Sequence, residues 1–172
     1  IFKEYRDYDG IGLAELIKSK EISPLDPLDS AIDLIERFDQ KLNAVHRKLY
    51  HDAAESLNRN KDLEGTFAGV PMLLKDMDSS LANHPMMQGS KYVKDTVMPY
   101  DNILTKKFRK TGALICGKSA TPEYGLMITT EPIQFGPTRN PWDTNKTTGG
   151  SSGGAASAVA SRMVPFAHAS DG

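Results

Sequence analysis

The sequence is poor in the features that mark several large protein classes. Its 172 residues include a single cysteine, Cys116, so no internal disulfide can form, and a reducing cytoplasm is the setting that suits it. No apolar run approaches the roughly 20 residues of a membrane span. The opening Ile1-Phe2-Lys3-Glu4-Tyr5-Arg6 is too charged for a secretory signal. Neither sign of charge dominates: 21 basic residues stand against 22 acidic ones, for a net charge of -1. No basic stripe is present to follow a phosphate backbone, which argues against nucleic acid as a partner. No internal repeat and no second domain boundary can be found, and the length suits one domain with a sizeable core. The first residue is not methionine, and Asp171-Gly172 ends the chain inside a small-polar turn. Both features lead us to expect a piece of a longer polypeptide.

What is present is an alternation of amphipathic helices and short apolar runs. Leu13, Leu16 and Ile17 recur at helical spacing after Asp9-Gly10. Ser23-Pro24 and Pro27 punctuate the chain before a longer helix with Leu28, Ala31, Ile32, Leu34, Ile35 and Phe38 on one side. Residues 43–49 form a weaker strand candidate, 51–58 a third helix and 58–65 a polar turn. Residues 67–77 are an apolar run that ends in Lys75-Asp76-Met77 and predicts a buried strand. Residues 79–99 predict a long surface loop, with Met86-Met87 better suited to core packing than to a pocket. A helix over 102–110 should turn Ile103, Leu104 and Phe108 inward. A short buried strand over 113–116, a helical turn opening at Thr121-Pro122, and a strand over 163–168 complete the pattern, which belongs to an α/β layered domain. His46 and His51 suit ordinary surface or boundary positions, His84 has no evident role, and Cys116 sits in apolar company that makes it core.

The most unusual stretch is Thr147-Thr148-Gly149-Gly150-Ser151-Ser152-Gly153-Gly154, with four glycines and four hydroxyls. Glycine carries the largest backbone entropy cost of ordering. Such a run persists where backbone must pass close to a reacting group. The small residues from Ala155 to Ser161 then predict a tightly packed helix, whose N-terminus would favour developing negative charge. A flexible linker is the plain alternative, but linkers join separable blocks and this run does not. Lys75 is the second candidate. Side chains alternate along a strand, so Lys75 and Asp76 face opposite ways. A lysine entering a packed layer without an acid partner loses affinity for its proton and can serve as a base. From this segment alone, a strand-end lysine reaching water is the simpler reading.

Two short patterns are met letter for letter and carry little physical support. Gly112-Ala113-Leu114-Ile115-Cys116-Gly117-Lys118-Ser119 satisfies the phosphate-loop spacing. Its intervening residues are apolar and look like a strand, whereas a phosphate loop must turn its N–H groups inward. Gly150-Ser151-Ser152-Gly153-Gly154 contains the nucleophile-elbow spacing, but polar, turn-like residues precede it where an elbow needs a strand.

Taken together, the blocks say more. Gly69-Val70-Pro71 leading to Lys75-Asp76, then Gly117-Lys118-Ser119-Ala120-Thr121-Pro122-Glu123, then Phe135-Gly136-Pro137-Thr138-Arg139-Asn140-Pro141-Trp142, then Gly149-Gly150-Ser151-Ser152-Gly153-Gly154, resemble the amidase signature family in order and spacing. The likeness runs from about Gly10 to Gly172. The ending His168-Ala169-Ser170-Asp171-Gly172 is most similar to members that hydrolyse cyclic amides of aminohexanoate.

The resemblance implies a layered α/β/α fold around a mixed sheet, with residues 1–66 as a helical N-terminal region and 67–172 as the start of the catalytic core. It implies a Ser-Ser-Lys triad in an acyl-transfer mechanism on a small-molecule amide, without metal or organic cofactor. Lys75 matches the base. Ser151 matches the bridging serine that follows a cis peptide bond. Ser152, Gly149 and Gly150 support the loop. Asp171 and Gly172 open the turn that would form the oxyanion site, and Gly125, Leu126 and Met127 would line the acyl site. By family spacing the nucleophilic serine falls about three residues beyond Gly172, so the chain alone is expected to be inactive. Missing later strands would leave a sheet edge open, which predicts self-association or marginal stability. A truncated, non-catalytic interaction module is the alternative. Members that modify tRNA-bound glutamate share these blocks, so a partner amidotransferase subunit stays open.

Overall fold

The computed structural model describes residues 1–59, 64–93 and 95–171. Among these, five α-helices and four strands follow one another as α1 (Gly10–Lys18), α2 (Leu25–Leu42), β1 (Val45–Lys48), α3 (Tyr50–Arg59), β2 (Pro71–Lys75), α4 (Ile103–Lys110), β3 (Leu114–Ser119), α5 (Gly153–Ala160) and β4 (Phe166–Ala167). The strands form one mixed sheet in the order β1-β3-β2-β4. β2 runs parallel to β3 and β4, while β1 joins the far side of β3 antiparallel. This is the α/β architecture that the alternation predicts.

Local chemistry sets the helix ends. The Asp9 carboxylate accepts the Gly12 N–H and starts α1. α2 stops where Asn43 turns left-handed at φ 51°. From there the Asn43 amide donates to the carbonyls of Phe135, Gly136 and Pro137 and pins the turn-rich loop to the helix end. Asn102 caps α4 by accepting the Thr105 N–H. The inward face of α4 differs from the expected one. Thr105 is buried and Ile103 is 75% exposed, and it is the half-buried Phe108 that packs on the Met72, Leu74 and Ile115 face of the sheet.

β2 lies between two neighbours and is covered on both faces, which explains a run with no polar alternation. Leu73, with Val70, Leu114 and Cys116, packs against Leu13, Leu28, Ile35 and Ala158 from the helices of one side. Met72 and Leu74, with Ile115, pack against Leu49 and Leu81 on the other.

The strands differ from expectation at their ends. The run 67–77 yields a strand only over Pro71–Lys75, because the Val70 N–H turns back to the Phe67 carbonyl and Gly69 holds φ 80°. β3 extends past Cys116 to Ser119, taking in Gly117 and Lys118. The strand expected over 163–168 shrinks to Phe166–Ala167: the Met163 N–H is used by the Ala158 carbonyl, and Pro165 has no donor. The turn at Thr121-Pro122 becomes a 3-10 turn over Glu123–Gly125. The stretch 79–99 is less superficial than expected, since Ser79, Ser80, Leu81, Met87 and Ser90 are buried. Residues 60–63 of the expected 58–65 turn, and residue 94 of this loop, lie outside the described residues.

α5 sits hard against the end of β3. A Cβ on Gly154 would lie 2.2 Å from the Ala120 nitrogen, and one on Gly153 would lie 2.3 Å from the hydroxyls of Thr130 and Thr148. The Gly154 N–H reaches the Ala120 carbonyl at 3.2 Å. Gly154→Ala must therefore displace backbone. We expect a cost of about 2 kcal/mol or more, read as a drop of about 4–8 °C in the thermal midpoint. An unchanged midpoint would show that α5 does not bear on the strand.

Candidate active site

β2 carries Lys75 to the end of a buried strand, where its side chain is 0% exposed. The amine Nζ stands 2.7 Å from Ser151 Oγ and 2.8 Å from Ser170 Oγ. The backbone of Lys75 is fixed from two sides. Its N–H donates to His168 Nδ1 at 3.3 Å, and its carbonyl accepts the Ser79 hydroxyl at 2.5 Å.

Ser151 follows a cis Gly150–Ser151 peptide bond. The loop that presents it is threaded through a narrow gap, where a Cβ on Gly150 would meet the Met127 and Thr129 carbonyl oxygens at 2.8 Å. The Thr130 hydroxyl donates to the Gly149 carbonyl and accepts the Gly153 N–H, bracing both ends of the turn. Ser152 does not touch Lys75. Its hydroxyl donates to the Ser170 carbonyl at 2.9 Å and accepts the Ser170 N–H at 3.1 Å, so it holds the next segment in place. Ser170 in turn donates to Asp78 Oδ2 at 3.2 Å.

Burial pushes the Lys75 amine below its ordinary 10.5, while the carboxylates of Asp78 and Asp171 pull in the opposite direction. The expectation that Lys75 has no acid near it is corrected here: two carboxylates act on it, and desolvation outweighs them. Asp76 points to the other face, as strand alternation requires, and pairs with Lys118. His168 is also pushed down, by burial first and then by the Lys75 cation. Because its Nδ1 accepts the Lys75 N–H, the neutral ring carries its proton on Nε2.

The residues named from the sequence sit as follows. Lys75 and Ser151 are in contact, and Gly149, Gly150 and Ser152 form the loop around them. Gly125 backs the loop, since a Cβ there would lie 3.7 Å from the Ser151 Cβ. Leu126 and Met127 follow it with side chains largely in solvent. Asp171 acts electrostatically on Lys75. Gly172 lies outside the described residues. Sequence reasoning missed Ser170, His168 and Asp78. A signal for two of them existed: His168 and Ser170 are two apart at the end of a strand, where alternate side chains share a direction. His46 is less ordinary than expected: its ring stacks on Phe135 at 4.1 Å, and burial lowers its pKa to about 4. The phosphate-loop pattern is β3 itself, with Lys118 fully buried. Ser152 stands on a turn before α5 rather than at a strand end. Among the described residues, no group of three or more His, Cys, Asp or Glu side chains is arranged to hold a metal. None of their helices is long and apolar enough to cross a membrane.

The sequence and the fold that carry this site have counterparts in known proteins. The amidase family profile matches residues 26–172. This chain belongs to the amidase family. It is 38% identical to the 6-aminohexanoate-cyclic-dimer hydrolase of Paenarthrobacter ureafaciens over 95% of its own length and 33% of the relative's. It is 34% identical to a putative amidase of Synechocystis sp., over 94% of this chain and 34% of that one. A solved 6-aminohexanoate cyclic dimer hydrolase, bound to its substrate, superposes with a TM-score of 0.89 at 35% identity, covering 94% of this chain and 33% of that one. A bacterial aryl acylamidase of the amidase signature family does so at 0.86 and 38%, covering 93% and 34%. The chain thus spans about a third of the length of the relatives it matches.

The lowered affinity of Lys75 for its proton has a sign that can be checked. The unfolded chain holds a proton that the folded chain gives up, so stability rises with pH from the depressed folded value up to 10.5. Lys75→Met lacks this contribution. The difference in thermal midpoint between parent and Lys75→Met should move in the parent's favour between pH 7 and pH 10. A constant difference would mean that Lys75 titrates alike in both states.

Proposed function

We propose that this chain is the N-terminal part of an amide hydrolase catalytic domain and supplies its base, Lys75, and its proton relay, Ser151. The observation that carries this reading is the 2.7 Å approach of Lys75 Nζ to Ser151 Oγ inside the protein, with burial favouring the uncharged amine. A neutral amine has a lone pair for the Ser151 hydroxyl proton while one of its own hydrogens is held by Ser170 Oγ. The nucleophile in this reading is a serine about three residues beyond Gly172. Its hydroxyl proton passes to Ser151 Oγ as the Ser151 proton passes to Lys75 Nζ. The new oxygen–carbon bond forms at the amide carbonyl, and backbone N–H groups of the chain that follows Ser170 would stabilise the developing oxyanion. The proton returns through Ser151 to the departing nitrogen as the C–N bond breaks, and water then releases the acid.

The substrate class is a small linear or cyclic amide with an aliphatic acyl part. Leu126, Met127 and Ile128 stand exposed beside the loop that holds Ser151, with Leu126 at 80% and Ile128 at 85%, and offer an apolar wall for such a group. The relative named as a 6-aminohexanoate-cyclic-dimer hydrolase makes that cyclic amide the first compound to try.

The test is hydrolysis of the 6-aminohexanoate cyclic dimer by the chain expressed with the continuation of its reading frame. Lys75→Ala and Ser151→Ala should each lower kcat by about 10²–10⁴-fold, and Ser152→Ala by less. The 172-residue chain alone should not turn over. Hydrolysis by that chain, abolished in Ser152→Ala but not in Ser151→Ala, would overturn the assignment. Continuation sequence that supplies no serine would favour the non-catalytic module.

A further inference from the structure

Lys118 takes no part in the chemistry proposed above, yet it is a second lysine with 0% exposure, one strand away from Lys75. Burying a cation is costly unless a specific geometry compensates for it. Its Nζ lies 3.3 Å from Asp76 Oδ1 and 3.2 Å from the Ser79 carbonyl oxygen. Burial pushes the Asp76 carboxyl up and the Lys118 amine down, and each group is the other's strongest counterweight.

The register shows why these two residues meet. β2 pairs Met72 with Ile115 but Leu73 with Gly117, so Cys116 is one residue extra in β3. Side chains alternate with a period of two, and a bulge re-aims everything after it. With the bulge, Lys118 pairs with Leu74 and Ser119 pairs with Lys75. Without it, Lys118 would stand directly beside Lys75 on the same face. The bulge therefore sends the two lysines to opposite faces and gives Lys118 to Asp76.

Asp76 is the first residue after Lys75, and its backbone and its side chain both have partners. Its N–H donates to the Ser119 carbonyl at 3.1 Å, and its carbonyl accepts the Gln88 N–H at 3.1 Å. Its carboxylate accepts the Met87 N–H at 3.2 Å and 3.3 Å. Ser79, whose carbonyl Lys118 holds, donates its hydroxyl to the Lys75 carbonyl. One residue past Ser119, the Ala120 carbonyl accepts the Gly154 N–H at the base of the loop that carries Ser151. The end of β3 is thus the common mount of both halves of the site.

We infer that the buried Asp76–Lys118 pair is a positioning device, locking the turn after β2 onto the bulged end of β3 so that the Lys75 amine is delivered to Ser151. This rests on Lys75 and Ser151 being base and relay. A pair of apolar side chains could hold the sheet as well; the ion pair instead fixes one length and one direction.

The test uses the 172-residue chain labelled with ¹³Cε-lysine, with the Lys75 resonance assigned through Lys75→Met. Asp76→Asn/Lys118→Met removes both charges of the pair and keeps an acceptor for the Met87 N–H; Arg47 of β1, whose cation acts on both members, stays in place. Its far-UV circular dichroism should match the parent's, while the Lys75 titration midpoint rises towards 10.5, with a loss of neutral amine below the midpoint. A folded double variant with the parent's Lys75 midpoint would overturn the positioning role. So would an unfolded one, since the pair would then be holding the sheet as a whole. A parent midpoint already at 10.5 would instead overturn the reading of Lys75 as base.

Discussion

The structure depends on one desolvated contact, the Lys75 amine against the Ser151 hydroxyl. Removing an amine from water disfavours its charged form. Here burial outweighs the pull of Asp78 and Asp171, so the balance is set by how completely the fold excludes solvent. Everything nearby serves that exclusion. β2 is covered on both faces, His168 takes the Lys75 N–H from the neighbouring β4 end, and the Ser79 hydroxyl closes over the Lys75 carbonyl. A lysine at the end of an edge strand would have reached water and kept its proton.

The second constraint is close approach of backbone. The loop at 149–154 reaches Lys75 only because Gly150, Gly153 and Gly154 let it pass against the carbonyls of Met127 and Thr129, the Thr130 hydroxyl and Ala120. Each of these positions has no room for a Cβ. The glycine-serine run is therefore neither a linker nor a nucleophile elbow; it is a strap drawn tightly across the end of β3. Ser152 then uses its hydroxyl twice on the Ser170 backbone, which brings a second hydroxyl, that of Ser170, to the amine.

Much of this was legible in the sequence, for definite physical reasons. The apolar run before Lys75 could only be a buried strand, and alternation alone separated Lys75 from Asp76. The four glycines among hydroxyls announced a close approach. What was not legible lies in register. Nothing in Leu114-Ile115-Cys116-Gly117-Lys118 marks Cys116 as the extra residue, so neither the face nor the partner of Lys118 could be read. Strand ends were misjudged where backbone donors were used elsewhere, as at Met163, and α4 turned Thr105 inward where hydropathy favoured Ile103. Ser170 and Asp78 join the site through contacts 95 and 92 residues apart in sequence, which no local pattern reports.

Membership of the amidase family and a TM-score of 0.89 to a substrate-bound relative give the contact its chemical setting. They do not tell which form the amine takes in this chain. Neutron diffraction from crystals of the deuterated chain, collected over a series of pH values up to 10.5, would decide it, because a lysine with the ordinary value of 10.5 stays at least half protonated throughout that series. The account predicts that Lys75 Nζ falls to two deuterons within the series, with a Ser151 deuteron directed at its lone pair. Three deuterons on Nζ throughout, with Ser151 Oγ accepting one of them, would contradict it.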